Sequence, residues 1–118
     1  MAKKILIVDD DKYLLEAISF MLSTEGYILK TSSGTTVVED AIVFKPHFIL
    51  LDILLSGMDG RLICKKIKQH KQLNGIPVVL LSAHPATGKN YKRYQADSFL
   101  AKPFDNEQLL ELINKFIK

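Results

Sequence analysis

Five short apolar runs alternate with segments of helical periodicity from one end of this 118-residue chain to the other. A buried strand is a continuous apolar run, whereas an amphipathic helix repeats its apolar residues every three or four positions. Strands that are each followed by a helix fold into a parallel sheet with right-handed crossovers and helices on both faces. The runs, each apolar enough for burial on both faces, span residues 5–8, 27–30, 48–51, 78–81 and 98–101.

The spacing of apolar residues predicts three helices in the first 70 residues. The first stops near Gly26, because glycine commonly ends a helix. The second covers Val37–Phe44, ahead of a proline, and the third covers residues 61–70. The residues of the third helix predicted to face the core are Leu62, Ile63 and Ile67.

Two more helices are predicted in the remainder of the chain. The fourth, at residues 90–95, has the weakest pattern. The fifth begins at Asp105, whose side chain can cap it while the side chain of Gln108 reaches back. The predicted fold is a doubly wound five-stranded parallel sheet with five helices, in one domain over residues 1–118. The inward side of the fifth helix consists of Leu109, Leu110, Ile113 and Phe116.

Composition narrows the cellular setting. The single cysteine, Cys64, cannot form an internal disulfide, which favours a reducing compartment. The apolar run after the N-terminus is too short for a signal peptide or a membrane span, so a soluble, cytoplasmic protein without membrane contact is expected. The last 58 residues hold 11 Lys/Arg against 4 Asp/Glu. No nucleic-acid-binding motif accompanies this basic half, so we expect no direct nucleic-acid binding.

Polar residues follow four of the predicted strands. Three consecutive aspartates at positions 9–11 follow the first, Asp52 follows the third, Ser82 the fourth and Lys102 the fifth. Because parallel strands end at a common edge where ligands bind, these groups are expected to meet there. Mg²⁺ prefers such oxygen ligands and accepts phosphate oxygens as well. A carboxylate can also attack phosphorus, so this edge is a candidate site for phosphoryl transfer.

Four stretches carry a family resemblance: "ILIVDDD", "ILLDILLSGMDG", "VVLLSA" and "FLAKPF", in this order and at this spacing. Together they resemble the receiver domain of two-component response regulators, over essentially the whole chain. The resemblance implies a flavodoxin-like (βα)5 fold. It also implies that Asp52 is the phosphoacceptor and that Asp9, Asp10 and Asp52 hold Mg²⁺, with the backbone carbonyl of Leu54 as a further ligand.

The same resemblance implies roles for three other residues. Ser82 matches the hydroxyl switch position, Phe99 the aromatic switch position, and Lys102 the lysine that contacts the phosphoryl group. The expected donor is a sensor histidine kinase or a histidine phosphotransfer protein. Phosphorylation is expected to change the face made by the fourth helix, the fifth strand and the fifth helix, and thereby control a downstream protein or an output domain.

The resemblance further implies a signalling module that catalyses only its own phosphorylation and dephosphorylation. Such a module is expected to be a monomer or a phosphorylation-dependent dimer. It implies a cis peptide bond between Lys102 and Pro103. Asp11 has no family role, and we interpret it as the cap of the first helix. The chain departs from the family at two positions. Ser56 stands where proline is usual, so the loop after Asp52 is expected to be less rigid. Gln95 stands where glycine is frequent.

Two other functions are compatible with parts of this pattern. An aspartyl-phosphate-forming phosphatase or phosphotransferase of the haloacid dehalogenase type needs a second aspartate two residues after the first, where this chain has Leu54, and a substrate cap for which 118 residues leave no room. A flavodoxin-like binding module that is not phosphorylated would need a phosphate loop after the first strand. Three aspartates there would repel the phosphate of a flavin nucleotide.

Overall fold

The computed structural model describes residues 2–84, 86 and 89–117. The main strands are β1 (Lys4–Val8), β2 (Ile28–Ser32), β3 (Phe48–Asp52), β4 (Val78–Ser82) and β5 (Ser98–Ala101). They form one parallel sheet in the order β2-β1-β3-β4-β5, which confirms the predicted doubly wound, flavodoxin-like architecture. A short antiparallel hairpin at residues 54–59 follows β3.

The described residues contain four α-helices, one fewer than predicted. The segment predicted as the fourth helix is a single turn of 3₁₀ helix, Tyr91–Tyr94. This turn ends because Gln95 adopts a left-handed conformation with φ 65°, which turns the chain toward β5. The α-helices are α1 (Lys12–Thr24), α2 (Val37–Phe44), α3 (Gly60–Gln69) and α4 (Asn106–Phe116), the last being the predicted fifth helix.

Two apolar clusters cover the two faces of the sheet. On one face, α1 and α4 pack against the sheet through Ile18, Leu22, Leu109 and Ile113. On the other face, α2 and α3 pack against it through Val37, Ala41, Ile63, Cys64 and Ile67. Burial raises the pKa of the Cys64 thiol to about 12, so this cysteine is part of the core and is not a reactive thiol.

Two details of the predicted core are wrong. β2 and β5 are not buried on both faces, because they are the edge strands: Ile28 and Lys30 of β2 are exposed, and Leu100 is the one buried residue of β5. Leu62 does not face inward and is 55% exposed. Successive helical residues are turned by about 100°, so with Ile63 and Ile67 on the sheet Leu62 points to solvent.

The helix ends follow the predicted caps. The Asp11 carboxylate accepts hydrogen bonds from the N–H groups of Tyr13 and Leu14, and Asp105 and Gln108 form the reciprocal capping box of α4. The Lys102-Pro103 peptide bond is cis, as expected. Within the described part of the chain, no helix has the length and apolar character needed to cross a membrane.

Candidate functional site

All five strands end in, or are directly followed by, a polar residue at one edge of the sheet, and four of them carry the predicted site residues; the remaining strand, β2, ends in Ser32. Asp9 and Asp10 directly follow β1, Asp52 is the last residue of β3 and Ser82 is the last residue of β4. Lys102 directly follows β5. The parallel arrangement therefore brings together side chains as far as 93 positions apart in the sequence.

Three carboxylates cluster at this edge. One oxygen from each of Asp9, Asp10 and Asp52 lies within 4.8 Å of the other two. Asp9 is only 1% exposed and Asp52 5%, whereas Asp10 is exposed to solvent. Hard oxygen donors with one side open to water suit Mg²⁺, which binds through one or two carboxylates and keeps several waters. The donor set therefore fits a magnesium ion.

Lys102 is the cation in contact with this cluster. Its Nζ lies 3.1 Å from Oδ2 of Asp9 and 3.3 Å from Oδ2 of Asp52. Burial disfavours the charged ammonium, but its hydrogen bond to Asp9 and the attraction of the two carboxylates outweigh this effect and raise the pKa of Lys102. Lys102 thus remains charged, and one lysine faces three carboxylates.

Asp52 has an unusual ionisation. Burial, followed by repulsion from Asp9, raises the pKa of Asp52 from 3.8 to about 6, although Lys102 opposes the rise. Oδ1 of Asp52 also accepts a 3.4 Å hydrogen bond from the N–H of Leu54. At pH 7.5 the carboxylate is ionised and has a lone pair available for attack on phosphorus. A cation bound beside it would favour the ionised form further.

Asp10 is held by the loop that follows β3. Its Oδ2 accepts hydrogen bonds from the N–H of Ser56 at 2.9 Å and from the Ser56 hydroxyl at 2.6 Å. Both hydrogen bonds lower the pKa of Asp10, and the bond from the Ser56 hydroxyl has the larger effect. The loop expected to be less rigid without proline is therefore tied to the end of β1.

The two predicted switch residues occupy different layers. Ser82 is buried, and its hydroxyl donates to the carbonyl of His84 at 2.5 Å and accepts from the His84 N–H at 3.1 Å. Phe99 is half-buried in β5, and its ring centroid lies 5.6 Å from that of Tyr91. The hydroxyl therefore stands at the edge of the site, and the ring packs under the 3₁₀ helix.

The backbone after Asp52 turns sharply to reach α3. A Cβ on Gly60 would lie 1.9 Å from the carbonyl oxygen of Asp52, so only glycine fits at this position. The Gly60 N–H donates to the carbonyl of Ile53 at 2.8 Å. Leu54, whose backbone carbonyl is a predicted metal ligand, lies in the intervening hairpin with its side chain exposed.

The contact between Ser56 and Asp10 was not predicted from the sequence. The two residues are 46 positions apart, so neither periodicity nor local spacing joins them. The sequence did offer one signal, which is that Ser56 stands where the family usually has proline. Serine has the N–H and hydroxyl donors that proline lacks.

Comparisons with known proteins agree with this geometry. Residues 5–114 match the family described as the response regulator receiver domain. The chain is 32% identical over 121 residues to the response regulator PleD of Caulobacter vibrioides, covering 100% of the chain and 27% of PleD. It is 29% identical to the DNA-binding dual master transcriptional regulator RpaA of Synechocystis sp., covering 98% of the chain and 49% of RpaA. The chain thus spans between about a quarter and a half of these curated relatives.

A solved structure is also similar over nearly its whole length. It is the receiver domain of the sensor histidine kinase PA1611 from Pseudomonas aeruginosa, with a TM-score of 0.89 and 25% identity. The match covers 99% of this chain and 98% of that domain, which has a magnesium ion coordinated in its active site cleft. Fold and sequence therefore agree on one family.

Proposed function

The chain belongs to the response regulator receiver domain family, and from this premise we propose that Asp52 accepts a phosphoryl group from a sensor histidine kinase or a histidine phosphotransfer protein. The proposal includes Mg²⁺ as cofactor, a cytoplasmic location, and a role in signalling without an external substrate. One observation carries it: Asp52 ends a buried strand with Asp9, Asp10 and Lys102 around its carboxylate.

The proposed transfer uses the ionised Asp52 carboxylate as nucleophile. One carboxylate oxygen attacks phosphorus, and a new P–O bond forms as the P–N bond of the donor phosphohistidine breaks. The leaving imidazole keeps the electron pair of that bond and takes up a proton from water. Lys102 is placed to donate a hydrogen bond to the arriving group, because its Nζ is already 3.3 Å from Asp52.

The acidic cluster would hold the metal. Asp9, Asp10 and Asp52 are the proposed side-chain ligands, and the backbone carbonyl of Leu54 is the proposed fourth protein ligand. When bound, Mg²⁺ would neutralise part of the negative charge on the transferred oxygens. Asp9 is buried and already oriented by hydrogen bonds from Lys102 and from the N–H of Asp11. The magnesium in the PA1611 receiver domain supports the choice of ion.

Loss of the phosphoryl group would reverse the modification. Water attacks the phosphorus, the P–O bond to Asp52 breaks, and inorganic phosphate leaves as the carboxylate is regenerated. This hydrolysis and the acceptance step are the only reactions we propose that the chain catalyses.

The proposed output begins at Ser82. To donate to a phosphoryl oxygen, its hydroxyl must give up its hydrogen bond to the carbonyl of His84. Phe99 would then move inward and change the face formed by the 3₁₀ helix, β5 and α4. A downstream protein or an output domain would read this face, with the chain as a monomer or a phosphorylation-dependent dimer. The greater lengths of PleD and RpaA support an output domain.

The decisive experiment is phosphorylation with acetyl phosphate and Mg²⁺, followed by intact mass measurement. We expect one added phosphoryl group that is stable to acid and labile to base, and none on the Asp52→Asn variant. Asp11→Asn is the matched control, because the Asp11 side chain only caps α1, asparagine caps equally well, and the backbone N–H that donates to Asp9 is kept. Unchanged labelling of Asp52→Asn would place the acceptor elsewhere and refute the proposal.

A further inference from the structure

Asp10 is the one carboxylate of the acidic cluster that burial does not fix. Asp9 and Asp52 are buried and share contacts with Lys102. Asp10 is exposed, and an exposed side chain samples several rotamers unless hydrogen bonds hold it. The orientation of Asp10 therefore depends on whatever donates hydrogen bonds to it.

Ser56 supplies those donors. Among the described residues, its N–H and its hydroxyl both donate to the same oxygen, Oδ2 of Asp10, at 2.9 and 2.6 Å. An ionised carboxylate oxygen accepts about two hydrogen bonds, so Oδ2 is saturated by this pair. Oδ1 is then the oxygen left to contact a cation.

Serine at this position makes a contact that the usual residue of the family does not. Proline has neither an N–H nor a hydroxyl, so it would leave Oδ2 of Asp10 without both bonds. The Ser56 contact also closes a separation of 46 residues, joining the end of β1 to the loop after β3. Both elements contribute proposed ligands of the metal.

We propose that Ser56 is a positioning residue for Mg²⁺, which raises the affinity of the site by holding Oδ2 of Asp10 so that Oδ1 faces the cluster. The inference rests on the proposed function, because it assumes that Asp10 binds the metal. Hydrogen-bond partners of metal-binding carboxylates commonly have this effect, and losing one lowers metal affinity about 10- to 100-fold.

The affinity of the purified protein for Mg²⁺, measured by isothermal titration calorimetry, tests this role directly. We expect Ser56→Ala to raise the Kd for Mg²⁺ about 10-fold. Ser56→Thr should restore the wild-type Kd because threonine keeps both donors. Ser23→Ala is the control, since the Ser23 hydroxyl only contacts the Phe20 carbonyl of its own helix. A Kd of Ser56→Ala equal to that of wild type would overturn the inference.

A double-mutant comparison tests whether Ser56 acts through Asp10. In an Asp10→Ala background, Ser56→Ala should weaken Mg²⁺ binding no further, because the oxygen it orients is gone. A further weakening of the same size as in wild type would show that Ser56 affects Mg²⁺ binding independently of Asp10, and would overturn the inference. Melting temperatures without metal serve as a check, since a purely structural role would lower them and leave the Kd unchanged.

Phosphorylation of the same proteins separates this inference from the proposed function. At saturating Mg²⁺, Ser56→Ala should label Asp52 to the wild-type extent, with only the Mg²⁺ dependence shifted. If wild type bound Mg²⁺ and were labelled at Asp52 while Ser56→Ala matched its Kd, only the inference would fail. If wild type bound no Mg²⁺, both would fail.

Discussion

Opposite edges of the sheet each pair a lysine with aspartate, and the two arrangements differ in charge balance. At the amino edge, where the parallel strands begin, Nζ of Lys68 lies 2.7 Å from Oδ2 of Asp97 and 2.8 Å from the carbonyl oxygen of Ile76. The same Asp97 oxygen accepts the N–H of Val78 at 2.8 Å. One cation meets one anion there, and neighbouring backbone groups complete the hydrogen bonds.

At the carboxyl edge, where the parallel strands end, negative charges outnumber positive ones. Lys102 contacts Asp9 and Asp52 at once, and Asp10 stands beside them. The physical consequence is visible in the raised pKa of Asp52, which burial and Asp9 produce despite the lysine. A balanced pair stabilises the fold, whereas surplus negative charge at a strand end prepares a site for a cation. Three measurements test this contrast and a fourth tests the turn beside the amino-edge pair, in decreasing order of expected effect.

Removal of metal should affect only the carboxyl edge. Excess EDTA should slow labelling of Asp52 by acetyl phosphate roughly 100-fold or more, because the charge on the transferred oxygens is then neutralised by Lys102 alone. Rates from intact mass spectra over time measure the loss. Asp97→Asn should show the same Mg²⁺ dependence as wild type. Full-rate labelling in EDTA would remove the metal from the proposal.

Breaking the amino-edge pair should cost stability and leave the chemistry intact. Asp97→Ala removes the acceptor of both Lys68 and the Val78 N–H, so we expect the free energy of unfolding in urea to fall by about 2–3 kcal/mol. Asp97→Asn retains an acceptor and should lose less. If Asp97→Ala were as stable as wild type, the pair would have no stabilising role and the contrast would fail.

Neutralising Asp52 should raise the free energy of unfolding, whereas breaking the amino-edge pair should lower it. Because its folded pKa is raised to about 6, the folded metal-free protein binds a proton that the unfolded chain has released between about pH 4 and pH 6. Wild-type stability therefore falls as pH rises through this window. Asp52→Asn escapes that loss, so it should be more stable than wild type by about 1–2 kcal/mol at pH 7.5.

The pH dependence provides the control for this comparison. The stability gain of Asp52→Asn in urea should shrink toward zero near pH 3, below the ordinary pKa of 3.8, where Asp52 is protonated in both folded and unfolded wild type. A gain of equal size at both pH values would mean that charge at Asp52 is not its cause. Asp97→Asn should show no such gain at neutral pH.

The smallest expected effect concerns the turn that precedes Asp97. Gln95 has φ 65°, a left-handed conformation that glycine adopts without strain and other residues at a cost. Gln95→Gly should raise the free energy of unfolding by up to about 1 kcal/mol, since part of the relief is lost to the greater backbone entropy of glycine when unfolded. Urea denaturation measures it. A loss of stability would show that the Gln95 side chain matters more than its backbone.

Local patterns explain most of what could be predicted about the fold. Strand runs and helix caps depend on neighbours in the sequence, so α2 was predicted at its observed bounds and the Asp11 cap was confirmed. The 3₁₀ helix and the exposure of Leu62 were not predicted. They depend on where the chain must turn and on the angle at which α3 meets the sheet.

Residues 84–89 lie between β4 and the 3₁₀ helix. Pro85 and Gly88 both disfavour a regular helix start, which predicts a loose loop in this segment. Those two residues lie outside the described part of the chain, so this expectation stays a prediction.

The sequence by itself determined which strands end in aspartate, serine and lysine, because strand periodicity and the parallel rule place those ends on one edge. Tertiary structure alone decided how the charges share partners. Lys102 bridges Asp9 and Asp52, and Ser56 holds Asp10, across separations of 46 to 93 residues. Hydrogen bonds and burial act through space, so the pKa of Asp52 and the orientation of Asp10 exist only once the sheet has formed.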